Sequence, residues 1–86
     1  MQEIWETNNR ALRLEVSIKC TNKCTFRITA SDEKPFSKYA DRKIEVDGYR
    51  TIYLSFPVTP KKLKINIDCV RGSEQNGDFI AKINET

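Results

Sequence analysis

Apolar and polar residues alternate along most of this chain with a period of two. Leu12, Leu14, Val16, Ile18 and Cys20 are apolar, and Arg13, Glu15, Ser17 and Lys19 between them are polar. Successive side chains of a strand point to opposite faces, so this run predicts a strand with one buried side. Cys24, Phe26, Ile28 and Ala30 repeat the pattern against Thr25, Arg27 and Thr29. The intervening Thr21-Asn22-Lys23 has the chemistry of a turn, because Asn tolerates the left-handed region and bonds its own backbone. These two runs are expected to form an antiparallel hairpin.

The alternation breaks after Ser31. Asp32 to Pro35 reads as a turn or loop, since Pro removes a donor and restricts the residue before it; Phe36, Tyr39 and Ala40 offer side chains to pack this loop on the core, with a short helical turn as the alternative form. It resumes at Ile44 and Val46 and continues, beyond Asp47-Gly48, through Ile52, Leu54 and Phe56. Asp-Gly favours a tight hairpin turn, since Gly accepts positive φ at little cost. Pro57 and Pro60 bracket a connection that cannot continue a central strand. Leu63, Ile65, Ile67 and Cys69 form a further run, and Phe79, Ala81 and Ile83 suggest a closing one after the polar stretch Arg71 to Asp78.

The expected fold is all-β, a small antiparallel β-sandwich of about six strands, with a partly open barrel as the alternative. Residues 1–10 are polar apart from Ile4 and Trp5 and read as an N-terminal arm before a single β-sandwich domain over residues 11–86. Those two apolar residues are expected either to close one end of the core or to dock on a neighbouring subunit, where Trp is an enriched anchor.

Length limits the energetics. A chain of 86 residues buries only roughly 60–65% of the surface its unfolded form exposes, so the core is thin. Its apolar content of 38%, set in a regular pattern, is too high for a disordered charged tail. The net charge of +3, with 31% of residues charged, describes a mixed solvated surface better than a concentrated anion-binding one. No basic, then apolar, leader opens the sequence and no run approaches a membrane span. The expected location is therefore cytoplasmic or within a virion or other large assembly.

The sequence has no histidine, which removes the commonest general base and metal ligand. Cys20, Cys24 and Cys69 fall on the apolar phase of their strands, as small core thiols do. One bridge, from Cys69 to Cys20 or Cys24, stays geometrically open, but reduced thiols are expected. The cysteine spacing does not suit a zinc site, and Ser73 to Asp78 lacks the alternating oxygen ligands of a calcium loop. Carboxylate pairs such as Asp32-Glu33 and Glu45/Asp47 lie in or beside turns, where they are solvated. The three glycines are scattered, with no phosphate loop. No enzyme, cofactor, metal or small-molecule substrate is indicated.

Binding is the more informative question. Tyr49 and Tyr53 share the polar phase of one strand, and Arg27, Lys62 and Lys64 occupy the polar phase of others. Were those strands neighbours, two rings and several cations would form one patch, suited to stacking bases and neutralising phosphates or to stacking on sugar rings.

The stretch from Tyr49 to Pro57, followed by Thr59 to Ile67, resembles the strand–Pro turn–strand part of immunoglobulin-like and jelly-roll accessory modules. Domains of that kind occur in secreted bacterial proteins and on phage particles, and the resemblance implies a style of sandwich. The docking-capable arm, the absence of catalytic groups and the small core point to a non-enzymatic interaction module on a larger assembly. A head auxiliary or decoration subunit of a phage virion is the leading example, with protein partners or self-assembly. A single-stranded nucleic-acid binder on an oligonucleotide-binding barrel and a carbohydrate-binding sandwich are the alternatives. The Asp47-Gly48 turn leaves no room for the helix that such barrels often carry between their third and fourth strands.

Overall fold

The computed structural model describes residues 1–8, 10–32, 38–57, 62–72 and 79–86. Seven strands occur among them: β1 (Gln2–Glu6), β2 (Leu12–Lys19), β3 (Cys24–Ser31), β4 (Lys38–Val46), β5 (Tyr49–Phe56), β6 (Lys62–Arg71) and β7 (Ile80–Glu85). They form two antiparallel sheets, one of four strands in the order β1-β6-β3-β4 and one of three in the order β5-β2-β7. This is the all-β sandwich that the alternation predicts; the strands are not joined in one continuous barrel sheet.

The buried faces are the apolar phases read from the chain. Leu14, Val16 and Ile18 of β2 meet Phe26 and Ile28 of β3 and Leu63, Ile65 and Ile67 of β6, all fully buried. Central strands contribute the most because both of their edges are covered. At roughly 25 cal/mol per Å² of apolar surface removed from water, this face-to-face burial is the main favourable term in folding.

Three expectations change. The first ten residues are not an arm, since Gln2–Glu6 pairs with Asn66–Lys62 as an edge strand. Met1 extends that ladder through hydrogen bonds in both directions with the Ile67 backbone, each 2.8 Å. Only Trp5 provides a large inward side chain in so short a strand, which is too little to show as a period. Trp5 packs half-buried against its own core, whereas Ile4 points outward and is exposed.

The two expected hairpins are corners instead. β2 and β3 lie in different sheets, as do β4 and β5. Thr21-Asn22-Lys23 and Asp47-Gly48 therefore carry the chain across the sandwich. Turn chemistry specifies a reversal of direction but does not say whether the next strand pairs beside the last or faces it. The corners are tied together, because Cys20 N–H donates to the Gly48 carbonyl at 2.8 Å.

No helical turn contains Tyr39 and Ala40. Both belong to β4, which begins at Lys38, before the alternation becomes visible at Ile44. The exposed Arg42 stands on the inward phase there and conceals the pattern. Phe36, like most of the Pro57–Pro60 connection and of Arg71–Asp78, lies outside the described residues.

The strand pairs β1·β6, β2·β5 and β3·β4 are nested inside one another, and β7 adds to the free side of β2. Cys20 and Cys24 are buried and Cys69 half-buried, with no disulfide among the three. No helix among the described residues is long and apolar enough to cross a membrane.

Candidate functional site

Register decides which polar residues share a surface. On the outside of the three-stranded sheet, Glu15 lies opposite Tyr53 and Asn84, Ser17 opposite Thr51 and Lys82, and Lys19 opposite Tyr49 and Ile80. Tyr49 and Tyr53 are thus two positions apart on edge strand β5, with relative exposures of 63% and 48%. Alternate residues of a strand face the same way, so both rings stand on this surface.

The face is held in place by its own polar groups. The Arg13 guanidinium carbon sits 4.7 Å from the centre of the Tyr53 ring, a cation–π contact that orients both. Tyr49 donates its hydroxyl to Ser17 Oγ at 3.4 Å and accepts from Thr51 Oγ1 at 3.0 Å. Ser17 and Thr51 are themselves 3.1 Å apart, which closes a ring of three hydroxyls. The bonds with Ser17 and then Thr51 hold the Tyr49 phenol below the ordinary tyrosine value. A preordered ring loses little side-chain entropy when a partner covers it.

The predicted patch of Tyr49 and Tyr53 with Arg27, Lys62 and Lys64 is not assembled. Arg27 lies on β3 and Lys62 and Lys64 on β6, both strands of the four-stranded sheet. On the polar phase, the three cations face outward on the opposite side of the sandwich. The cations that do neighbour the tyrosines are Arg13, Lys19 and Lys82. A periodic pattern shows that they point out but carries no information on which strands lie side by side.

Arg27 is also engaged. Its Nε and Nη2 donate to the two Asp41 oxygens at 3.0 and 2.8 Å, and Lys38 Nζ adds a contact at 3.4 Å. Chiefly through the Arg27 hydrogen bonds, the Asp41 carboxyl falls from 3.8 to about 2. Because the folded value lies below the unfolded one, the stability this pair contributes is complete above pH 3.8 and is lost as pH falls through about 2. Asp41→Asn is expected to reduce the loss of melting temperature across that window relative to wild type, as thermal melts at stepped pH will show. Parallel curves for the two proteins would contradict it.

Elsewhere, Arg10 grips Glu85 with both terminal nitrogens, tying the segment before β2 to the end of β7. Among the described residues no group of three or more Cys, Asp or Glu is arranged to hold a metal ion. The described features define the chain as an antiparallel β-sandwich with a preordered aromatic–cationic face. No family model, curated protein or solved structure matches it.

Proposed function

We propose that this protein is a non-enzymatic interaction module, an accessory subunit of a larger assembly of the phage-virion decoration type. It docks on a protein partner through the outer face of the three-stranded sheet. The observation that carries this reading is the exposed Tyr49–Tyr53 pair, with Arg13 stacked on one ring and a hydroxyl ring ordering the other. Tyr and Arg are, with Trp, the residues enriched at interface hot spots, and the exposed Ile80 extends the same face with apolar area. The nested strand pairing favours the jelly-roll side of the sequence resemblance, since such a roll is wound from successive long hairpins.

The test is co-sedimentation with particles from the cells that make the protein. Wild type is expected to travel with the large assembly. A Tyr49→Ala/Tyr53→Ala double variant is expected to stay near the top of the gradient. Loss of one hot-spot ring costs about 2 kcal/mol, or roughly thirtyfold in affinity. Wild type remaining near the top in every preparation would defeat the proposal.

A second reading rests on Lys19 and Lys82, which flank the same tyrosines. Rings and cations on one face suit single-stranded nucleic acid, and the rings alone suit a sugar surface. A labelled thymidine oligonucleotide whose binding falls steeply with salt would favour the nucleic acid. A glycan array separates the sugar reading.

A further inference from the structure

Sandwiches of two open sheets have four edges, and here the two edges of the four-stranded sheet carry opposite charges. β1 presents Glu3 and Glu6; β4 presents Lys38, Arg42 and Lys43 along with Asp41 and Glu45. Asp41 is taken up by Arg27 and Lys38, and Glu45 by Lys23. Arg42 and Lys43 have no ion-pair partner among the described residues, and neither does Glu3.

Two of these charges stand where apolar residues are expected. Arg42 lies opposite Ile28, and Glu3 opposite Ile65, so both occupy the inward phase of their strands. An inward charge on an edge strand opposes pairing with an arbitrary strand, because the charge must be desolvated. That barrier vanishes for a strand bringing the opposite charge to the same position. Glu3 and Arg42 are such a pair, each guarding its edge against every strand except the other.

Strand direction agrees. All neighbours in the four-stranded sheet are antiparallel, and with an even number of strands β1 and β4 run in opposite directions. A second copy facing the same way therefore brings its β1 antiparallel to β4 of the first. The three-stranded sheet lacks this property, because β5 and β7 are both antiparallel to β2 and so parallel to each other.

We propose that the protein self-associates head to tail, with β1 of one molecule pairing with β4 of the next and Glu3 lying across from Arg42. In this register Gln2 faces Lys43 and Trp5 faces Ala40. A shift of two residues in one direction sets Glu6 against Asp41, and in either direction Glu3 loses Arg42. The pairing also has a natural end, since Arg50 Nη1 already donates to the Glu45 carbonyl at 3.0 Å, beyond the paired stretch. Such a contact uses different patches on the two molecules, so it continues into a ring or filament rather than closing as a dimer. It leaves the tyrosine face open, and the two proposals stand or fall separately.

Sedimentation velocity from micromolar to millimolar protein tests it. The weight-average mass of wild type is expected to rise with concentration past that of a dimer. Glu3→Arg and Arg42→Glu, each alone, are expected to weaken association by about tenfold or more, since like charges then oppose each other. An equimolar mixture of the two variants restores it, because every contact again joins opposite charges. A far-ultraviolet spectrum checks that each variant keeps its strands; Glu3→Gln and Arg42→Gln replace any that does not, and for these the expected result is weaker association alone, without the mixing step. A wild type that stays monomeric throughout overturns the proposal. So does association that neither reversal weakens, or a mixture that fails to recover.

Discussion

Phe26→Ala is expected to cost about 3–5 kcal/mol of folding stability, the range for removing a large aromatic side chain from a packed core. Phe26 is fully buried on β3, a strand paired on both sides. Its ring meets Phe79 edge to face, with centroids 4.9 Å apart and planes at 73°. Phe79 immediately precedes β7, so this contact joins the two sheets rather than neighbours in one. Removing the ring leaves a cavity and frees Phe79 from its partner. At about 4–8 °C per kcal/mol for a domain of this size, the melting temperature should fall by about 12 °C or more. Urea titration and thermal melts measure this directly. Phe26→Leu, which keeps most of the volume, should lose much less. A loss below about 1 kcal/mol for the alanine variant would show that the sheets do not depend on this contact.

The second large effect is expected at Gly72. Its φ of +122° is one that side-chain-bearing residues rarely adopt. A Cβ there would also lie 2.6 Å from Cys24 Sγ and 3.0 Å from Cys24 Cβ. The cause lies in the ladder immediately upstream. The β3–β6 register slips between Thr25, opposite Arg71, and Phe26, opposite Cys69, and the chain leaving β6 crosses close over Cys24. Gly72→Ala should therefore lose about 1–3 kcal/mol to backbone strain and about 1–3 kcal/mol more to overpacking. Gly48 provides the comparison. Its φ is +86°, but nothing lies within 4 Å of its added Cβ, so Gly48→Ala carries the strain alone. Adding Cys24→Ala to Gly72→Ala should recover only part of the loss, since the Cβ contact and the φ remain. Equal losses for the two glycine variants would remove the steric part of the argument.

Part of this molecule is legible in the sequence alone. The inward residues of β2, β3, β5 and β6 follow from alternation, because a half-buried strand has only two faces and the core selects one. The exposed position of Tyr49 and Tyr53 follows from the same phase. β1 was not legible, since one inward Trp in a five-residue strand makes no period. The first half of β4 was hidden by Arg42, whose charge on the inward phase reads as a broken pattern.

The order of residues is enough to specify that the chain forms strands, which side of most of them is buried, and that Tyr49 and Tyr53 look outward. These are local properties, set by the two-residue repeat of an extended backbone. Which strands are neighbours is settled by the folded arrangement as a whole. It turned two expected hairpins into corners between sheets, separated the tyrosines from Arg27, Lys62 and Lys64, and placed them beside Arg13, Lys19 and Lys82. Strand pairing joins residues far apart in the chain, and it is chosen by how all the buried faces fit together. No single segment holds that information.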